Sequence, residues 1–395
     1  MCICQGLIFH TDKIWPTNIY YASIPGMKGL AKGEASTLLN PVLTFYCRVG
    51  EFLTDPYAAS FTITEIRDPG TAAVAKVTST AVHLVNDKIG TGRFVIKTGD
   101  TATWNYGTHR ALVSYQLVSG GRTYYQEILF EVLDPADFPT GQYYTGYVST
   151  RQMYADGLYT FAGRAPQSLH RRIHRASVQV EGWTQRIFEP RYLGVQVNVE
   201  EQSKLFLDEA IIAIDQAYTV SRTTSGAEEL SAIDRGAYKV LNRHMDGVLN
   251  PDDRFNPQLL VHPSISSVEV SNSYLWPLGR LNAVIQGVFG FIDPEPNAGT
   301  TLIGRTPEDI VVVVSALVDR SISDPGLNSP SVQSPGSVRS YRTRDQSISF
   351  FGDATRSLGN GGWTGDSTLD QLLARFVKPA HADYIDRDPY DSAWI

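Results

Sequence analysis

Cysteine is scarce: the 395 residues hold three, Cys2, Cys4 and Cys47. Two of them crowd the N-terminus, so no disulfide framework is visible, and a Cys-x-Cys pair without His or a further Cys nearby is a poor zinc signature. Long apolar runs are missing too. No stretch approaches the ~18–20 residues that span a bilayer. The first residues lack the basic start and apolar core of a secretory signal, so synthesis and folding in a cytosol-like compartment are expected. Positive charge is not in excess: 34 Lys and Arg against 41 Asp and Glu give a net charge of -7. That excludes nucleic-acid binding driven by the whole surface. Catalytic signatures are absent as well. There is no Gly-x-Ser-x-Gly, and Gly359-Asn360-Gly361-Gly362 lacks the Lys and Ser/Thr of a phosphate loop. His170 and His174 stand one helical turn apart without a following Glu and among arginines, so they are expected as solvated or phosphate-facing residues. Asp252-Asp253 adjoins Arg254 in a proline-bounded loop and is expected as a turn. No catalytic residue, metal or cofactor is assigned.

What is present is a folded composition, 42% hydrophobic and 19% charged, in a chain long enough for two or three domains. Residues 1–40 are expected to form an extended arm, with one strand near Asn18–Ile24. From 41 to 134 the apolar period is two. Leu43, Phe45, Cys47 and Val49 share a face, as do Ala111, Val113, Tyr115 and Leu117. Gln126, Ile128, Phe130 and Val132 share another, with Glu127 and Glu131 opposite. Ser119-Gly120-Gly121-Arg122 is a hairpin turn. About seven strands in under 100 residues predict a sandwich. Its pattern resembles the immunoglobulin-like modules of phage structural proteins, although Cys47 has no partner for the usual bridge. His83 and His109 are expected on strand surfaces. Residues 135–165, rich in Gly and Tyr, are expected to be a linker.

A helix is predicted over 169–187. Leu169, Ile173, Ala176, Val180, Trp183 and Ile187 follow steps of four and three, with Arg171, Arg172, Arg175, Gln179, Glu181 and Arg186 on the other face and Pro190 stopping it. Residues 204–219 read as two short strands around Asp208-Glu209. Residues 227–246 read as a short helix, through Leu230, Ile233, Ala237, Val240 and Leu241. Asn282–Ile292 reads as a strand in which Gly287 and Gly290 mark a bulge or a close backbone contact. Thr306-Pro307-Glu308-Asp309 starts a helix with Thr306 as its cap. Ile310, Val313, Val314 and Leu317 are its buried face, expected to lie along the 169–187 helix. Gly365-Asp366-Ser367 caps a last helix with Leu369, Leu372, Leu373 and Phe376 inward. Beyond it, a polar segment carries Tyr384, Ile385, Tyr390, Trp394 and Ile395, a composition suited to ordering on a partner.

The order of these elements carries a resemblance. A long helix ending in RIFEPR precedes a strand pair, NPQLLVHPS, LWPLGRLNAVIQGVFGFID, TPEDI with an apolar helix, RDQSISF and TGDSTLDQLLARFVKP. Over 166–378 this resembles the head–tail connector (adaptor) proteins of tailed bacteriophages. The departures are an insertion around 221–255 and a Ser/Pro-rich loop at 323–338. The resemblance implies a multidomain α+β chain: an N-terminal all-β sandwich followed by a mainly helical connector domain with short strands. It implies no enzyme and a place in the virion neck after assembly in the host cytoplasm. The subunits would form a ring, twelve-fold in the family, docked beneath the portal protein and offered to a stopper or tail-terminator protein. DNA would pass through the channel without sequence-specific binding, and no membrane is involved. The segment 379–395 would grip the portal, and Arg171, Arg172 and Arg175 would face a neighbour or the channel. A second expectation makes the sandwich a capsid-decoration or glycan-binding module. A hydrolase on a β-rich frame is a third, and would need a pocket of convergent polar groups.

Overall fold

The computed structural model describes residues 28–66, 72–139, 144–155, 166–222, 228–241, 257–261, 276–293, 305–323, 340–342, 347–349, 363–364 and 366–377. Cys2, Cys4, the expected strand near Asn18–Ile24, the Asp252-Asp253 loop, the 359–362 glycine loop and the five aromatic and aliphatic residues of 384–395 lie outside them.

Ten strands build the N-terminal unit: β1 (Lys28–Ala31), β2 (Thr44–Tyr46), β3 (Arg48–Val49), β4 (Phe52–Leu53), β5 (Ala58–Glu65), β6 (Val74–Ala81), β7 (Lys88–Gly90), β8 (Arg93–Val95), β9 (Gly107–Gln116) and β10 (Thr123–Leu133). A five-stranded sheet in the order β1-β10-β9-β5-β6 faces a three-stranded sheet β2-β8-β7. Phe45, Cys47, Phe94 and Ile96 meet Phe61, Ile63, Ala111, Val113, Tyr115 and Phe130 in one core. The alternation read from sequence places these side chains correctly, because successive residues of a strand point to opposite faces. His109 is a correction. It continues the inward series and is wholly buried, stacked on Trp104 with ring centroids 5.3 Å apart. The sandwich also begins earlier than residue 41, since β1 pairs in parallel with β10.

The second unit holds α1 (Thr150–Ala155), α2 (Pro166–Thr184), β11 (Arg191–Val199), β12 (Lys204–Phe206), β13 (Ile211–Arg222), β14 (Glu228–Ile233), β15 (Tyr238–Leu241), β16 (Gln258–Val261), β17 (Gly279–Phe289), α3 (Glu308–Ser323), β18 (Ser340–Arg342), β19 (Ser347–Ser349) and α4 (Ser367–Ala374). This unit is not mainly helical. Its described residues hold more strand than helix, and β11, β13 and β17 are long. The helix expected over 227–246 is β14 and β15 joined by a 3-10 turn at Arg235–Ala237. Its three-and-four spacing arose from two short strands whose apolar residues fall either side of that turn.

β13 is the centre of a sheet ordered β11-β17-β13-β4-β3, with β14 also on β13 and β17 held between β11 and β13. One face packs Leu193, Ile214, Ala217, Ile285 and Phe289 against Leu205, Val240 and Leu259 of the small sheet β12-β16-β15. The other packs Ile212, Ala213, Val288 and Ile292 against Tyr46 and Leu53 of the sandwich. Register irregularities in β13 at Ile211/Ala213 and Ile214/Gln216 break the alternation, so that adjacent Ile212 and Ala213 serve one face while Ile211 and Ile214 serve the other. β4 joins this sheet in parallel, with Phe52 opposite Ile214, so the two units share a sheet.

The expectation of close backbone contact at both glycines holds. A Cβ on Gly287 would lie 2.4 Å from the Ala213 carbonyl oxygen, and one on Gly290 2.1 Å from that of Glu189. α2 places Leu169, Ile173, Ala176 and Val180 in the core, but ends before Pro190, as Gln185 turns left-handed at φ 56°. α3 packs along α2 as expected. Arg172 reaches Ser321 at the end of α3, and Thr306 before its start bonds Phe188 just past α2, so the helices run antiparallel. The Thr306 hydroxyl therefore ties the two elements together at 2.8 Å instead of capping its own helix.

Candidate assembly faces around the long helix

The basic face of α2 is only partly open. Arg171 and Arg175 are exposed, and Arg171 pairs with Asp137 at 2.7 Å. Arg172 donates to the backbone oxygen of Ser321 and, at 3.0 Å, to its hydroxyl. Arg171 and Arg172 thus fasten α2 to its surroundings. Arg186, expected on the outer face, lies past the end of the helix and is buried. Its Nε donates to the Phe376 carbonyl at 2.8 Å, and its guanidinium sits 5.2 Å from the Phe291 ring centroid.

The inner side of α2 meets a polar junction that the sequence did not announce. Glu131, the last outward-facing acid of β10, is wholly buried there. It accepts from the Thr108 hydroxyl at 2.8 Å, the Thr150 backbone N–H at 3.0 Å and the Thr150 hydroxyl at 3.0 Å. His170 Nε2 lies 3.1 Å away on α2. His170 is therefore a buried junction residue, not a solvated one. The expected linker supplies the cover: Phe138, Tyr144, Tyr147, Val148 and Met153 belong to the same core as α2, α3 and α4. Around Tyr147 a second network forms. Its hydroxyl donates to Glu181 and accepts from the Phe188 N–H at 3.1 Å, while Arg191 bridges Glu181 and Glu189.

α4 is clamped at both ends. Asp366 caps its first turn, accepting from the N–H groups of Thr368 and Leu369, as predicted from sequence. Arg320 of α3 donates to the Thr364 carbonyl and pairs with Asp366 at 3.3 Å, and Arg375 pairs with Asp309 at 2.6 Å. Phe376 meets Phe188 and Phe291 edge-on, each with ring centroids 5.6 Å apart. The segment that begins at residue 379 thus departs from a fixed base.

Three bases, Lys28 and His109 buried and His174 half-buried, give the fold a pH dependence of one sign. Burial pushes His109 and His174 below the ordinary 6.5 of an imidazole. The Thr145 N–H already occupies Nδ1 of His174 at 3.0 Å, so protonation there breaks a bond. Burial likewise pulls Lys28 down to about 7, with Glu189 opposing the shift. Below 6.5 for the imidazoles, and between about 7 and 10.5 for Lys28, the unfolded chain binds protons that the native chain does not. Stability then rises with pH. The melting temperature is expected to climb between about pH 5.5 and about pH 8.5, and to flatten below pH 7 in the double variant His109→Phe, His174→Gln. A profile falling over this range contradicts the assignment of these groups as buried and neutral.

Among the described residues, no three His, Cys, Asp or Glu side chains stand close enough to hold a metal, and no helix is long and apolar enough to cross a membrane. An open depression of about 500 Å³ lies between the outer face of the five-stranded sheet and α1. No family model matches this chain, and no curated protein matches it. Among solved structures, the chain is similar to one described as the neck of an empty GTA particle, computed with C6 symmetry. The identity is 11%, the TM-score is 0.31, and the alignment covers 57% of this chain and 88% of the other. Similarity at that level fixes neither fold nor role.

Proposed function

We propose that the chain is a structural subunit of the neck of a tailed-phage particle, acting as a head–tail connector. The reading rests on the ordered elements over 166–378 that resemble the connector family. One observation carries it to mechanism: α4 is clamped onto the α2–α3 pair by Arg186, Arg320 and Arg375, and the aromatic segment 379–395 follows directly. A subunit that must transmit force between a portal and a tail needs a stiff body and a projecting grip. The shared β4–β13 pairing and the buried junction at Glu131 supply stiffness. In this reading the subunits form a ring, twelve-fold as in the family, and extend the DNA channel. Arg175, exposed on α2, faces a neighbouring subunit or the channel wall. Removing 379–395 is expected to abolish capture by the portal ring while leaving the melting temperature unchanged. Portal binding undiminished in the truncated chain contradicts the assignment of the grip.

A further inference from the structure

We propose that the sandwich carries a head-to-tail contact between copies of this chain, in which the Leu38–Leu39 turn of one copy seats in the depression beside α1 of the next. The turn presents two leucines to water, with Leu39 99% exposed and Leu38 42%. Such exposure is ordinary on a loose loop, but this loop is built. The Thr37 N–H donates to the Asn40 carbonyl at 2.9 Å, and the Asn40 N–H returns to the Thr37 hydroxyl at 3.1 Å. The buried Glu34 carboxylate holds both the Ala31 N–H at 2.9 Å and the Asn40 amide at 2.8 Å. Thr98 and Thr101 grip the base through the N–H groups of Ser36 and Gly33, each at 3.0 Å. A buried carboxylate and two threonines thus hold an apolar knob rigid, which removes the ordering cost a partner would otherwise face.

The same sandwich offers a complementary hollow. Its lining includes the aliphatic Ile66 and Leu129, with Thr64 and Gln152 beside them and Arg110 and Glu127 at the rim. About 500 Å³ is ample for a pair of leucine side chains. Charge agrees with this pairing. Asp100, exposed on the segment that grips the turn, accepts only the Ala102 N–H among the described residues, whereas Arg110 at the rim of the hollow meets Glu127 no closer than 3.8 Å. Knob and hollow are made of different residues, so in this proposal they join head to tail as a heterologous contact, the type that closes rings or runs on as filaments. The contact does not require the neck assignment.

The test mixes two full-length variants, Leu39→Cys and Gln152→Cys, both with Cys2 and Cys4 changed to Ser, at high protein concentration under mild oxidation. The expected product is the mixed disulfide dimer, at least ten-fold above either homodimer, and lost when Leu38→Asp is added to the first variant. Unchanged melting curves establish that each variant folds. A dominant Leu39→Cys homodimer points to a knob-on-knob contact and overturns the proposal, as does the absence of any mixed product. Binding of the wild-type chain, but not the Leu39→Asp variant, to phosphatidylcholine vesicles makes the turn a lipid anchor and overturns it too.

Discussion

Replacing Glu131 by alanine is expected to lower stability by about 3–5 kcal/mol. The carboxylate is wholly buried and is shared by Thr108, Thr150 and His170, residues from β9, α1 and α2. Removing it strands those groups away from water, and an unsatisfied buried donor costs about 1–3 kcal/mol by itself. The loss should be local before it is global. Amide exchange is expected to speed up first in 144–155 and 166–184, while the sandwich core around Phe45 and Phe94 stays protected. Glu131→Gln keeps an acceptor for Thr150 and should lose less. Denaturant midpoints for Glu131→Ala equal to those of the parent chain would show that the junction contributes nothing.

Gly290→Val is expected to be at least as damaging, for a different reason. Gly290 has φ 151°, a conformation that β-branched residues avoid, and an added Cβ would lie 2.1 Å from the Glu189 carbonyl oxygen and 2.8 Å from its carbon. The obstacle is backbone, not the end of a flexible side chain, so it cannot step aside. The Gly290 N–H also donates to the Ala210 carbonyl at 2.9 Å, so any shift breaks the joint between β17 and the start of β13. A loss of about 3 kcal/mol or more is expected, read as a collapse in soluble yield and in the denaturation midpoint. Gly120 is the control. It is also left-handed, at φ 66°, but nothing lies within 4 Å of its Cβ position, so Gly120→Ala should cost only about 1 kcal/mol. Equal effects at the two sites would refute the steric account.

The helices and the sandwich were legible because each has one wet face and one dry face. The three-and-four spacing of Leu169, Ile173, Ala176 and Val180 and the two-residue period of Ala111, Val113 and Tyr115 both report that geometry. Where an element is dry on both sides the signal vanishes. Ile211, Ile212, Ala213 and Ile214 are all fully buried, so their run carries no period; the second of the two short strands read over 204–219 is present, but is twelve residues long. The expectation of a mainly helical second unit came from the connector resemblance and not from these residues, whose runs at 204–219 and 282–292 already read as strands. The linker reading left out the ordered part of 135–165 for a related reason. Gly and Tyr within 141–147 look like loop residues, yet Tyr144 and Tyr147 fill the core under α2, and no local pattern shows that a later helix will cover them. Glu131 was placed on the correct face of its strand. What the sequence did not show is that Thr150 and His170, 19 and 39 residues further on, close over it. Of the candidate basic residues, Arg171 and Arg175 lie on the open face as the helical period implies, whereas Arg186 turns inward because the helix ends before it.

The central claim, a structural subunit of the particle neck, is tested most directly by counting copies in purified particles by quantitative mass spectrometry against the portal protein. The account predicts as many copies as portal subunits, or a simple fraction set by ring symmetry. Copies in the hundreds would place the chain on the capsid or tail surface as a decoration, and absence from the particle would contradict the account.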